Sequence, residues 1–159
     1  MNTSEGGRSV EDGDVPAGDV LPEPISLLPH RPPFLLVDEL LSLVPGERVV
    51  GRWHITGEEW FLPGHFPGRP TVPGVLLVES LAQVGACALL ADERFTGKLP
   101  LFGGADKVKF RRQVVPGETL ELTVEMGRLG SRAGKGTGRA TVDGEMAAQL
   151  ELMFVLVDP

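Results

Sequence analysis

LPGHFPGRPTVPG, residues 62–74, runs directly into VLLVESLAQVGACALL, residues 75–90, and this junction decides how the rest of the chain must fold. Seven of the first thirteen residues are Pro or Gly. That excludes a long helix or strand and implies a stiff, ordered loop. The following run is apolar nearly all round, which predicts a helix wrapped by other structure rather than one lying on a surface. It is too short for a membrane span, which needs roughly twenty residues, and Glu79, Ser80 and Gln83 interrupt it.

Outward from this helix the chain reads as strands and turns. On the N-terminal side, Ile25 begins an apolar segment that is broken at Pro29-His30-Arg31-Pro32-Pro33. Residues Phe34 to Val44 are apolar enough for a buried strand, or for a short helix followed by a strand. After a turn at Pro45-Gly46-Glu47, Val49 to Thr56 alternates Trp53 and Ile55 against Arg52 and His54, the period of a half-buried strand. On the C-terminal side, strands are predicted over Lys107–Val115 and Thr119–Arg128, with a loop over Gly130–Gly138. A final hairpin, 139–142 with 145–157, turns at Asp143-Gly144, a dipeptide suited to type I′ geometry. The expected class is α+β: an antiparallel sheet curled around one buried helix.

The chain has 159 residues, enough for one domain with a full core but not for two of ordinary size. Residues 1–22 hold five acidic groups against Arg8 and no apolar periodicity, so they are expected to form a disordered acidic tail before a domain over 23–159. The net charge of -7 argues against a general affinity for nucleic acid. The start of the chain lacks both the basic and the apolar parts of a secretory signal. Cys87, the single cysteine, sits in the apolar run as a small buried hydrophobe. A cytoplasmic location without membrane attachment is expected.

Three features carry chemistry. His65 lies between Gly64 and Phe66 in the stiff loop, where a backbone can approach a ligand and hold an imidazole in one orientation. His30, in a Pro-flanked turn, and His54, on the polar phase of a strand, read instead as structural. Glu79 falls on the second turn of the apolar helix, where an unpaired carboxylate would cost several kcal/mol. Either backbone N–H groups or Gln83, one turn along on the same face, satisfy it, or burial favours the protonated carboxyl, a proton donor near neutral pH. Pro73-Gly74 opens the helix, and its unpaired N–H groups suit an oxygen gaining negative charge. Base, acid and oxyanion donor together are what elimination of water β to a thioester carbonyl requires. The third feature is basic: Lys107, Lys109 and Arg111 share one face in strand alternation, with Arg112 beside them and Val108 and Phe110 opposite. That face is either solvated or a docking patch for an acidic partner.

At these residues the sequence resembles the 3-hydroxyacyl-[acyl-carrier-protein] dehydratases, in the branch that uses Glu as the acid. The matching stretches are LLPHRPPFLLVDELL at 27–41, GHFPGRPTVPGVLLVESLAQVGA at 64–86 and DKVKFRRQVVPGETL at 106–120. The resemblance implies a hot-dog fold working as a homodimer or a trimer of dimers, with sites at the dimer interface. It implies His65 as base, Glu79 as acid and the Gly74 N–H on the thioester carbonyl. It further implies acyl carrier protein as partner, and neither metal nor bound organic cofactor, the phosphopantetheine arm being the carrier's. Related dehydratase-isomerases usually have Asp at the acid position, so Glu79 points to the non-isomerising branch.

Two departures from the family pattern stand out. Pro32 replaces a common aromatic, and the chain has no Tyr for the tunnel mouth. Phe66, Leu101 and Phe102 are therefore the expected tunnel residues. A hot-dog acyl thioesterase, using a carboxylate to activate water, is the competing enzyme reading, and His65 argues against it. A non-catalytic acyl-binding partner subunit would need only the tunnel and the interface.

Overall fold

A computed structural model describes residues 20–159. The expected tail lies outside the described residues except at its end, where Leu21 already packs, partly buried, against the core. The packed chain thus starts slightly earlier than residue 23. A four-residue helix, α1 (Pro24–Leu27), is followed by strands β1 (Glu39–Val44) and β2 (Arg48–His54). The long helix α2 (Gly74–Leu90) comes next, then a single 3-10 turn at Glu93–Phe95. Four strands finish the chain: β3 (Leu99–Phe110), β4 (Thr119–Leu129), β5 (Ala133–Val142) and β6 (Glu145–Val157).

All six strands form one antiparallel sheet in the order β1-β2-β4-β5-β6-β3. The sheet wraps α2, whose residues from Ser80 to Leu89 are all buried. This is the hot-dog arrangement. Strand alternation sends Trp53 and Ile55 into the core beside Leu120 and Leu122. Cys87 is fully buried, and burial pushes its thiol up to about 12, so it packs as a hydrophobe rather than reacting. No helix among the described residues is long and apolar enough to cross a membrane.

Two strands differ from the sequence reading. Residues 133–138 are not loop but the first half of β5, with Gly134, Gly136 and Gly138 at alternating, inward-facing positions. A Cβ on Gly136 would lie 2.8 Å from the Glu125 carbonyl oxygen, so a side chain there would displace backbone. Gly136 is a packing requirement, although in sequence it looks like loop chemistry. The other case is β3, which starts at Leu99 and ends at Phe110 rather than running from 107 to 115. It is an edge strand, where Pro100 is tolerated. Its ladder to β6 slips between Asp106 and Lys109, and Lys107 takes a left-handed φ of 51°. This bulge resets the alternation, so Lys107, Lys109 and Arg111 do not share one continuous strand face.

The Asp143-Gly144 turn has positive φ at both residues, 49° and 80°, as type I′ requires. Val108 and Phe110, read from the sequence as lying opposite the basic residues, are exposed in the single chain, as are Leu101 and Phe102. A long, apolar, unpaired edge of this kind is a surface for pairing with another strand.

Candidate active site

The loop before α2 fixes His65 by its own backbone. The His65 N–H donates to the Leu62 carbonyl at 3.0 Å, and the Thr71 N–H donates to the His65 carbonyl at 2.9 Å. Phe66 and Arg69 exchange both backbone bonds, closing a tight turn between them. The imidazole Nδ1 stands 2.7 Å from the Thr71 carbonyl oxygen. A carbonyl can only accept, so Nδ1 carries the proton, and in the neutral ring Nε2 keeps its lone pair. The loop therefore delivers the tautomer a general base needs. Phe66 stacks on the ring, centroids 4.0 Å apart and planes 27° from parallel.

Upstream, Glu59 clasps the start of this loop. Its Oε1 accepts from the Thr56 N–H at 2.6 Å and its Oε2 from the Gly57 N–H at 2.8 Å. Burial alone would push its carboxyl up, but these backbone donors and the Thr56 hydroxyl together outweigh burial and hold it below the ordinary Glu value.

His65 opens on a cavity of about 560 Å³ that it shares with Thr71, Gly74, Leu77, Phe110 and Arg111. Gly74 is the first residue of α2, and its N–H has no acceptor among the described residues. It is one of the donors every helix leaves open at its positive end. A Cβ at Gly74 would come within 2.8 Å of the Phe110 ring. Glycine is therefore what lets Phe110 lie over the helix start.

Glu79 is not on this cavity. Its Oε1 accepts from Gln83 Nε2 at 3.0 Å and lies 3.6 Å from His30 Nε2. Its side chain stays 21% exposed, so in one chain the enclosure expected for it is incomplete. Val75, Val78 and Glu79 form an open stripe at i, i+3 and i+4 on a helix otherwise buried from Leu76 to Leu89. Within one chain His65 and Glu79 therefore do not share a pocket.

The basic residues divide. Lys107 pairs with Glu151 on β6 at 3.3 Å, and Arg112 pairs with Glu118 at 2.6 Å and with Glu145 at 3.7 Å. Arg111 lines the His65 cavity, and Lys109 is exposed on β3. Leu101 and Phe102 lie in the other half of β3 and do not line the His65 cavity of the same chain. Sequence reasoning set His30 aside as a turn residue, yet it faces Glu79. It also gave no role to Thr71, whose carbonyl sets the His65 tautomer. His54 keeps its structural reading, with Nδ1 2.8 Å from the Thr119 hydroxyl. Among the described residues, no group of three or more His, Cys, Asp or Glu is placed to hold a metal ion.

Fold and site together define a hot-dog protein with an oriented imidazole beside a helix N-terminus. Residues 28–151 match the FabA-like domain, and the chain belongs to that family. It is 56% identical over 130 residues to the 3-hydroxyacyl-[acyl-carrier-protein] dehydratase FabZ of Moorella thermoacetica, covering 82% of this chain and 91% of the relative. The corresponding enzyme of Thermomicrobium roseum is 52% identical over 133 residues, covering 84% and 89%. Among solved structures, the dehydratase heterocomplex ApeI:P from Xenorhabdus doucetiae superposes with a TM-score of 0.74 at 15% identity, covering 88% of this chain and 93% of that one.

Proposed function

We propose that the chain dehydrates (3R)-hydroxyacyl groups on acyl carrier protein to trans-2-enoyl groups, as a step of fatty-acid synthesis or a related acyl-chain pathway. The observation that carries the chemistry is the His65 Nδ1 bond to the Thr71 carbonyl, which leaves Nε2 as the basic nitrogen. Nε2 removes the proton α to the thioester carbonyl. The free Gly74 N–H and the positive end of α2 stabilise the oxygen as it gains charge. Glu79 donates a proton to the β-hydroxyl, which leaves as water. The residues need no metal and no bound organic cofactor for these steps.

The working unit is a homodimer in which His65 of one copy meets Glu79 of its twin. Three features support it: the His65 cavity without Glu79, the open Val75-Val78-Glu79 stripe and the unpaired apolar edge β3. A trimer of dimers is the larger assembly consistent with the family. Lys109 and Arg111 are the basic groups left for the acidic carrier protein, with Phe66, Leu101 and Phe102 toward the acyl chain. A lone buried thiol without a disulfide suits a cytoplasmic setting.

The test is to incubate the purified protein with a 3-hydroxyacyl carrier thioester and follow enoyl product and free thiol separately. Enoyl product without free thiol is expected. Free thiol would instead mark a thioesterase, and neither product would mark an acyl-binding subunit.

A further inference from the structure

Around Glu79 the structure holds a second set of groups that the acid-base scheme does not use. Gln83 is buried at 1% exposure and all three of its hydrogen bonds are directional. Its Oε1 accepts from the Leu36 N–H at 2.8 Å, while Nε2 donates to the Phe34 carbonyl at 2.8 Å and to Glu79 Oε1 at 3.0 Å. A flipped amide would set its oxygen against the Phe34 carbonyl and the Glu79 carboxyl, and its NH₂ against the Leu36 N–H. Only one orientation satisfies every partner, and it aims a donor at Oε1.

His30 approaches the same oxygen, its Nε2 3.6 Å away. Its other nitrogen, Nδ1, is buried and has no hydrogen-bond partner among the described residues. A proton on Nδ1 would be a buried donor left unmade, whether the ring were neutral or charged, and that is the more costly orphan. The neutral ring with hydrogen on Nε2 avoids it and turns an N–H toward Oε1. Arg31 keeps the turn in place by donating to the Leu28 and His30 carbonyls at 2.8 and 2.7 Å.

From this geometry we infer that His30, as the neutral Nε2–H tautomer, is a positioning residue that faces Oε1 of Glu79 with its N–H, beside the hydrogen bond from Gln83. The transferable proton is thereby confined to Oε2. The inference rests on reading Glu79 as the acid. With the Gln83 amide bonded to Oε1 and the His30 N–H turned toward it from 3.6 Å, that oxygen keeps the role of acceptor in both protonation states. Proton transfer to the leaving hydroxyl then always starts from the same atom, and His30 itself neither gives nor takes a proton.

Side-chain ¹⁵N NMR of the full-length protein reads the tautomer directly and does not depend on turnover. A protonated Nε2 with an unprotonated Nδ1 on His30 at neutral pH is expected. The opposite tautomer, or an imidazolium, would overturn the inference even if the protein is an active dehydratase. The kinetic arm compares His30→Gln, whose amide can place a donor near the Nε2 position, with His30→Asn, which reaches only the Nδ1 position. His30→Asn should lose about 10-fold or more in kcat with little change in KM, and His30→Gln should recover most of it. Equal losses in two folded variants would also overturn the inference. A wild-type protein with the expected tautomer but no enoyl product would leave the His30 geometry standing and remove the dehydratase reading instead.

Discussion

Replacing Gln83 with Leu keeps an apolar fill of similar size and removes one amide, so its cost can be worked from three bonds. The Leu36 N–H loses its acceptor inside the core, where Leu36 is 2% exposed, and a buried orphan donor costs about 1–3 kcal/mol. The bond to the Phe34 carbonyl is only part-buried, so the second loss is smaller, on the order of 0.5–1 kcal/mol. The bond to Glu79 is to a part-exposed group and adds little once water replaces it. The total is about 1.5–4 kcal/mol against a typical domain stability of about 5–15 kcal/mol, so the variant should fold. Urea unfolding followed by the fluorescence of buried Trp53 measures it, with a lower midpoint and an unchanged slope expected. A loss below about 0.5 kcal/mol would mean that Gln83 does not tie residues 34–36 to the helix, and the reasoning would fail.

Glu79→Gln should keep the fold and lower turnover by on the order of 10² or more, because the amide cannot donate the proton to the leaving hydroxyl; activity within a few-fold of wild type would remove Glu79 as the acid. Lys109→Glu should raise KM for the carrier-linked substrate and flatten its salt dependence while sparing a small thioester mimic. Lys109 isolates docking better than Arg111, which lines the His65 cavity. Glu59 gives a pH dependence. Its carboxyl is held below the ordinary Glu value in the folded chain, so its stabilisation is fully present above that ordinary value and is lost as pH falls through the folded value. Urea midpoints of wild type and Glu59→Gln should therefore differ at neutral pH and converge in acid, and a constant gap would contradict the clasp.

What the sequence made legible was mostly local. The burial of α2 follows from its lack of a polar face, and the β2 core residues follow from simple alternation. The Pro and Gly density of 62–74 announced a rigid loop, and the bond that fixes His65 is made inside that loop. The failures have long-range causes. The start of β5 read as loop partly because the carbonyl that demands glycine at position 136 is on β4. The start of β3 was hidden by Pro100, Gly103 and Gly104, which an edge strand with a bulge accommodates. His30 looked idle because Glu79 and Gln83, the residues that give it a place, are distant in sequence. The separation of His65 from Glu79 within one chain is likewise a property of the folded surface, although the family resemblance already implied a shared site.

That shared site is the central claim, and co-expression of His65→Ala and Glu79→Ala chains tests it most directly. Each mutant alone should be nearly inactive. With random pairing half the dimers are mixed, and each mixed dimer has one doubly damaged site and one intact site, so enoyl formation should return to about a quarter of wild type. Mixed dimers verified by mass that remain inactive would show that both residues act within a single chain and would contradict the account.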